Sequence, residues 1–118
     1  MSPGAQEMAS TEPVHVVLVT APDLAVGTEL ARRLVEEGLA ACVNLVPGVR
    51  SIYRWQGAVQ EDAEILLIAK TRAARVDALT ARVRALHPYE LPEVIAFAVA
   101  GGSEPYLDWV RAASEVPT

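Results

Sequence analysis

Cysteine occurs once in the 118 residues and histidine twice. No intrachain disulfide can form, and a metal site built from one chain has few soft or imidazole donors to draw on. Aromatic residues make up 5% of the chain, with a single phenylalanine. No apolar run approaches the ~20 residues that cross a bilayer, so no membrane span is expected. Positive charge is also scarce. Ten Lys and Arg against fifteen Asp and Glu leave a net charge of -5, which gives nucleic acid no attracting field. The sequence has no HxxxH, CxxC or HExxH spacing for a metal, no GxxxxGK(S/T) or GxGxxG loop for phosphate, and no GxSxG elbow. Without a nucleophile and base in a recognisable pairing, no catalytic residue can be named.

What is present is apolar. Hydrophobic residues reach 52% and charged residues 21%, the balance of one folded domain with a single core. Residues 1 to 13 (MSPGAQEMASTEP) are small and polar and read as a loose tail before a domain over 14 to 118. They carry neither a basic start nor an apolar signal core, and with the lone cysteine this leads to an expected cytoplasmic location. Val14 to Thr20 is a β-branched strand closed by Ala-Pro-Asp, and Asp23 is placed to cap a helix over 24 to 37 that stops at Gly38. Ala40 to Val46 is a second strand, bent by Pro47-Gly48 before another extended piece at 51 to 55 and a turn at Gln56-Gly57. The returning strand ends in 64 to 70. Thr71 is placed to cap a helix striped by Val76, Leu79, Val83 and Leu86, which His87-Pro88 stops. Val94 to Ala100 is a fourth strand, and Ser103 opens a last helix carrying Tyr106, Trp109 and Val110. The expected fold is therefore α+β, a ferredoxin-like βαββαβ sandwich with an extra C-terminal helix.

The strands do not alternate apolar with polar. Ile65 and Leu67 oppose Leu66 and Ile68, Val17 and Val19 oppose Val16 and Leu18, and Val94 and Ala96 oppose Ile95 and Phe97. Two helices cover one face only, so the other needs a second cover. Another copy of the chain is one candidate; the C-terminal helix around Trp109 is the other.

Cys42, among Ala41, Val43 and Leu45, reads as a small packed hydrophobe. The loop LHPYELPE at 86 to 93 gathers His87, Tyr89, Glu90 and Glu93 between Pro88 and Pro92. An imidazole and carboxylates on a stiff loop suit a borderline divalent cation, with His87 and Glu90 as candidate ligands, and they serve equally as the polar groups of a plain connector. Tyr53, Trp55 and Trp109 either line a cleft or seal an interface. Lys70 is expected to pair with Glu64 or Glu93, or to meet an anionic ligand. Arg72, Arg75, Arg82 and Arg84, interrupted by Asp77, read as a solvated helix face.

The run LARRLVEEGLAACVNLVPGVRSIYRWQGAVQEDAEILLIAKT at 30 to 71, with HPYELPEVIA at 87 to 96 and YLDWV at 106 to 110, resembles the CutA divalent-cation tolerance proteins, in order and over about residues 14 to 115. The resemblance implies a non-enzymatic cytoplasmic homotrimer of ferredoxin-like subunits, associated with heavy-metal tolerance and copper(II) binding and related in architecture to PII-type signal proteins. Family members with a copper site carry a Cys at the end of the first strand and a His-His pair before Pro-Tyr. Here those positions are Val19 and Leu86-His87. His87 alone carries over, which implies weak binding of copper(II) or another divalent ion and no required cofactor. By analogy with the PII-type trimers, Tyr53, Trp55, Lys70, Tyr89, Glu93 and Trp109 would sit near an intersubunit cleft. The alternative that follows is a PII-like signal or scaffold trimer binding a small anion or a partner protein there.

Overall fold

A computed structural model describes residues 12 to 117. Strand β1 (Val14–Ala21) leads into helix α1 (Leu24–Glu36); β2 (Cys42–Trp55) and β3 (Ala58–Arg72) form a long hairpin; a 3-10 turn (Ala73–Arg75) enters α2 (Val76–Leu86); and β4 (Val94–Ala98) precedes α3 (Glu104–Ala113). The strands make one antiparallel sheet in the order β2-β3-β1-β4. This is the βαββαβ arrangement with a C-terminal helix that the sequence led us to expect. No helix among the described residues is long and apolar enough to cross a membrane.

Local chemistry sets the element ends. Asp23 is extended, and its Oδ1 accepts the Val26 N–H at 2.8 Å, which satisfies one of the donors left free at the start of α1. At the other end Gly38 adopts φ +70, which lets the Leu39 and Ala40 N–H groups return to the Leu34 carbonyl. Thr71 does not cap a helix. It lies inside β3, its Oγ1 donating to the Leu39 carbonyl at 2.8 Å, and α2 starts after the 3-10 turn with Arg75 at its N-cap and no side-chain cap. Ser103 also makes no side-chain cap bond. Of the arginines expected on a solvated face, Arg75 is buried, while Arg82 binds Glu37 through two N–H groups at 2.8 and 3.0 Å. That pair ties α2 to α1 and holds the Glu37 carboxyl below its usual range.

The helices α1 and α2 cover one face of the sheet. Val17, Val19 and Ala21 of β1, Ile65, Leu67 and Ala69 of β3, Leu30 and Leu34 of α1 and Leu79 and Val83 of α2 form the main core. The opposite face carries Val16, Leu18, Leu66, Ile68, Ile95 and Phe97 by strand register. Helix α3 lies over one end of that face, where Leu107 and Val110 pack with Val14 and Ala41. It is held by Arg72, whose Nε donates to the Arg111 carbonyl at 2.6 Å, and by Arg111, whose Nε donates to the Glu12 carbonyl at 2.7 Å. Glu12 and Pro13 are therefore bonded to the domain; the rest of the expected tail lies outside the described residues. The remainder of the second face stays open, with Ile95 48% and Phe97 52% exposed. The C-terminal helix is thus a partial cover.

The second strand is continuous where the sequence reading broke it in two. Val46 pairs with Leu66 and Val49 with Glu64, so β2 carries one extra residue at Pro47-Gly48, a bulge with Gly48 at φ +83. Beyond it the hairpin runs past the end of β1, whose last pairing is Ala21 with Ile65, and projects as a two-stranded arm closed by Gln56 (φ 50) and Gly57 (φ 80). The arm stretches the chain to 57 × 26 × 23 Å. A Cβ at Gly48 would meet nothing within 4 Å, so the strain of a substitution there is backbone strain alone. Gly48→Val is expected to cost about 1–2 kcal/mol in chemical denaturation, because a β-branched residue is disfavoured at positive φ.

Candidate functional site

The arm and the loop after α2 face each other across a cleft. Register after the bulge puts Val49, Ser51, Tyr53 and Trp55 on the same side as Asp62 and Glu64. Without the extra residue, strict alternation would have turned Tyr53 and Trp55 toward the helix side with Val43 and Leu45. Opposite them the loop at 87 to 93 brings up Tyr89, Glu90, Leu91 and Glu93, and Thr20 and Glu64 complete a cavity of about 590 Å³.

The loop is held by His87. Its backbone is extended before Pro88, its N–H closes the helix on the Val83 carbonyl at 2.8 Å, and its ring is buried. Nδ1 accepts the Tyr89 N–H at 3.1 Å, which leaves Nε2 to donate to the Thr20 carbonyl at 2.7 Å. The neutral tautomer therefore has both nitrogens engaged, and the ring lies 4.6 Å from that of Tyr89. Tyr89 in turn donates its hydroxyl to Glu64 Oε2 at 3.0 Å, and Tyr53 donates to Asp62. Burial first, then the bond to Glu64, pushes the Tyr89 phenol well above its usual range; Tyr53 is raised chiefly by its bond to Asp62. Both phenols stay protonated at neutral pH and donate to carboxylates.

Of the six residues that the resemblance placed near an intersubunit cleft, Tyr53, Trp55, Tyr89 and Glu93 line this cavity within one chain, as does Glu90. Lys70 and Trp109 do not. Lys70 stands six residues along β3 from Glu64, its Nζ on Asn44 Oδ1, and Trp109 packs beside Tyr106 with ring centres 5.6 Å apart. The expected pairing of Lys70 with Glu64 or Glu93 is not formed. The cleft wall holds Glu64, Glu90 and Glu93 and no Lys or Arg, so an anion would meet carboxylates there. Thr20, Ser51, Ile52, Glu64 and Leu91 were not singled out from sequence as cleft residues; Glu64 follows Leu66 and Ile68 on one side of β3, and that alternation is the signal that could have placed it. The proposed ion ligands are differently situated: His87 is buried and hydrogen-bonded, Glu90 exposed on the cleft wall. Cys42 is half-buried on the open sheet face beside Lys70. Among the described residues no three His, Cys, Asp or Glu side chains converge on a point where one ion would sit.

The family model described as CutA1 divalent ion tolerance protein matches residues 15–113. The divalent-cation tolerance protein CutA of Thermus thermophilus is 55% identical over 97 residues, 82% of this chain and 94% of that protein. The chloroplastic protein CutA of Arabidopsis thaliana is 50% identical over 106 residues, 90% of this chain, and this chain spans 58% of its length. Among solved structures, CutA1 from Oryza sativa superposes with a TM-score of 0.87 at 50% identity, over 90% of this chain and 97% of that one. The Thermus thermophilus protein superposes with a TM-score of 0.85 at 52% identity, over 86% and 99%.

Proposed function

This chain belongs to the CutA1 divalent ion tolerance protein family, and on that premise we propose that it acts without catalysis, as a homotrimer, in the tolerance of divalent cations. The observation that carries the assembly is the open sheet face. Ile95 and Phe97 are about half exposed there, beside Leu18 and Val16 of β1 and across β1 from Leu66 and Ile68 of β3. Apolar surface this extensive on a soluble chain marks an interface, and a second copy supplies a matching sheet. A cytoplasmic place belongs to the same proposal, although the Arabidopsis relative is named chloroplastic.

His87 and Glu90 remain the proposed ion contacts, and the binding is weak. An ion at His87 must take the place of the Tyr89 N–H on Nδ1 or of the Thr20 carbonyl on Nε2, each a bond worth about 1 kcal/mol net. Titration of the assembled protein with copper(II), followed calorimetrically, is expected to give a low affinity that falls further in His87→Gln and Glu90→Gln. Equal affinity in the parent and both variants would remove these two residues from the account. Light scattering of the unmodified protein tests the assembly separately, against the 12.6 kDa of one chain.

A further inference from the structure

We propose that α3 is a hinged cover, latched over its end of the sheet face by Glu12, two residues before β1. The apolar seat of the helix is small. Leu107 and Val110 pack with Val14 and Ala41 in a cluster separate from the main core, with Val99 beside them. The rest of the hold is polar, and it closes a ring through three residues. Arg72 Nε donates to the Arg111 carbonyl, Arg111 Nε donates to the Glu12 carbonyl, and the Glu12 carboxylate accepts from Arg72 Nη1. The side chains of Arg72 and Arg111 are only 14% and 9% exposed, so a bond lost from either leaves a charge with little water to replace it. Each member of the ring therefore supports the other two.

Glu12 is the movable member. Arg72 ends β3 and Arg111 belongs to α3 itself, whereas Glu12 precedes β1 and is tied to the sheet through its neighbour Pro13, whose carbonyl accepts the Ala73 N–H at 2.9 Å. The other end of the cover is free to turn within the subunit. After the Val99 N–H meets the Val14 carbonyl at 2.9 Å, the chain passes through Gly101 and Gly102 into α3. A Cβ at Gly101 would meet nothing within 4 Å, and one at Gly102 only Leu107 of α3 itself. A link of this kind absorbs a change of direction without disturbing the sheet. Drawing Glu12 away from the two arginines thus releases α3 and bares Val14 and Ala41, which lengthens the apolar face. The consequence for assembly rests on the reading of that face as an interface; the latch itself does not.

Hydrogen exchange of the full-length protein, read by mass spectrometry, tests the latch. In Glu12→Ala the amides of residues 104 to 113 are expected to exchange about tenfold faster than in the parent, as loss of a charged hydrogen bond from a poorly solvated ring should allow. Those of β1 and β3 are expected to keep their protection. Glu115→Ala is the control: Glu115 meets Arg72 at 3.5 Å from outside the ring, its side chain is 71% exposed, and its loss should leave α3 as it is in the parent. An unchanged α3 in Glu12→Ala, an equal acceleration in Glu115→Ala, or a rise spread evenly over the sheet would each overturn the proposal. Failure of the interface reading is told apart by light scattering, where it shows as a single chain and leaves the exchange result standing.

Discussion

Ile68→Asp is expected to abolish the assembly. Ile68 sits in the middle of β3 on the open face, paired across to Leu18 of β1 and Asn44 of β2, with Leu66 two residues away on the same face. In an isolated subunit the position is half-buried, and a carboxylate there would keep part of its hydration. In an interface it would be buried without a partner, an effect of about 3–5 kcal/mol for each copy. An assembly that buries several such copies cannot absorb the total. Light scattering should show the mass falling to that of the 12.6 kDa chain, with a lower melting temperature. Ala78→Asp adds the same charge on the exposed surface of α2, in the first turn, where the helix dipole tolerates it, and should leave the mass unchanged. If Ile68→Asp kept the parent's mass, or if the parent itself were a well-behaved single chain, the sheet-face interface would be wrong.

That expectation was open to sequence reasoning because strand periodicity is a property of neighbours in the chain. Leu66 and Ile68 against Ile65 and Leu67, or Ile95 and Phe97 against Val94 and Ala96, assign faces with no knowledge of what covers them, and register confirms each assignment. The partial cover by α3 was not legible in the same way, since it depends on Arg72 and Arg111 reaching the Arg111 and Glu12 carbonyls across a long sequence separation. Thr71 shows a different limit. A threonine before a helical stripe reads as a cap, but its hydroxyl found the Leu39 carbonyl, and β3 continued to Arg72. The cleft was legible in composition and obscured in placement. Aromatic and acidic residues were singled out, yet the faces of Tyr53 and Trp55 depended on one extra residue at Pro47-Gly48, which reverses the alternation for the rest of β2. Lys70 was placed near an intersubunit cleft by analogy with the PII-type trimers, and its expected pairing with Glu64 fails because six strand residues separate the two by roughly 20 Å. His87 was identified as a ligand type from the chemistry of its side chain; that both nitrogens are occupied, by a carbonyl of β1 and the N–H of Tyr89, is a fact of tertiary structure.

Leu67→Ala is expected to be the most damaging change within the subunit. Leu67 is fully buried at the centre of the main core, opposite Val19 and Leu45 in the sheet, with its Cδ1 3.4 Å from where a Cβ on Gly27 would stand. Truncation removes the buried methyl and methylene groups and leaves a cavity beneath α1, a loss of about 3–5 kcal/mol. Gly27 shows why the site cannot collapse to fill it. The helix already approaches the sheet there as closely as Leu45 and Ala21 permit, their atoms lying 3.4 and 3.6 Å from the same Cβ position. Glycine in the first turn of α1, which costs about 1 kcal/mol in helix propensity, is thus matched to the leucine below it. Gly27→Val in the parent drives two methyl groups into Leu67 and Leu45 and should destabilise by about 1–3 kcal/mol. In the Leu67→Ala background the same valine enters the vacated space, so the double variant should be more stable than the sum of the two losses by about 1 kcal/mol or more. Denaturant midpoints of the four proteins measure that coupling. Strict additivity would mean that α1 moves to close the void on its own, and that the close contact at Gly27 does not hold the helix in place.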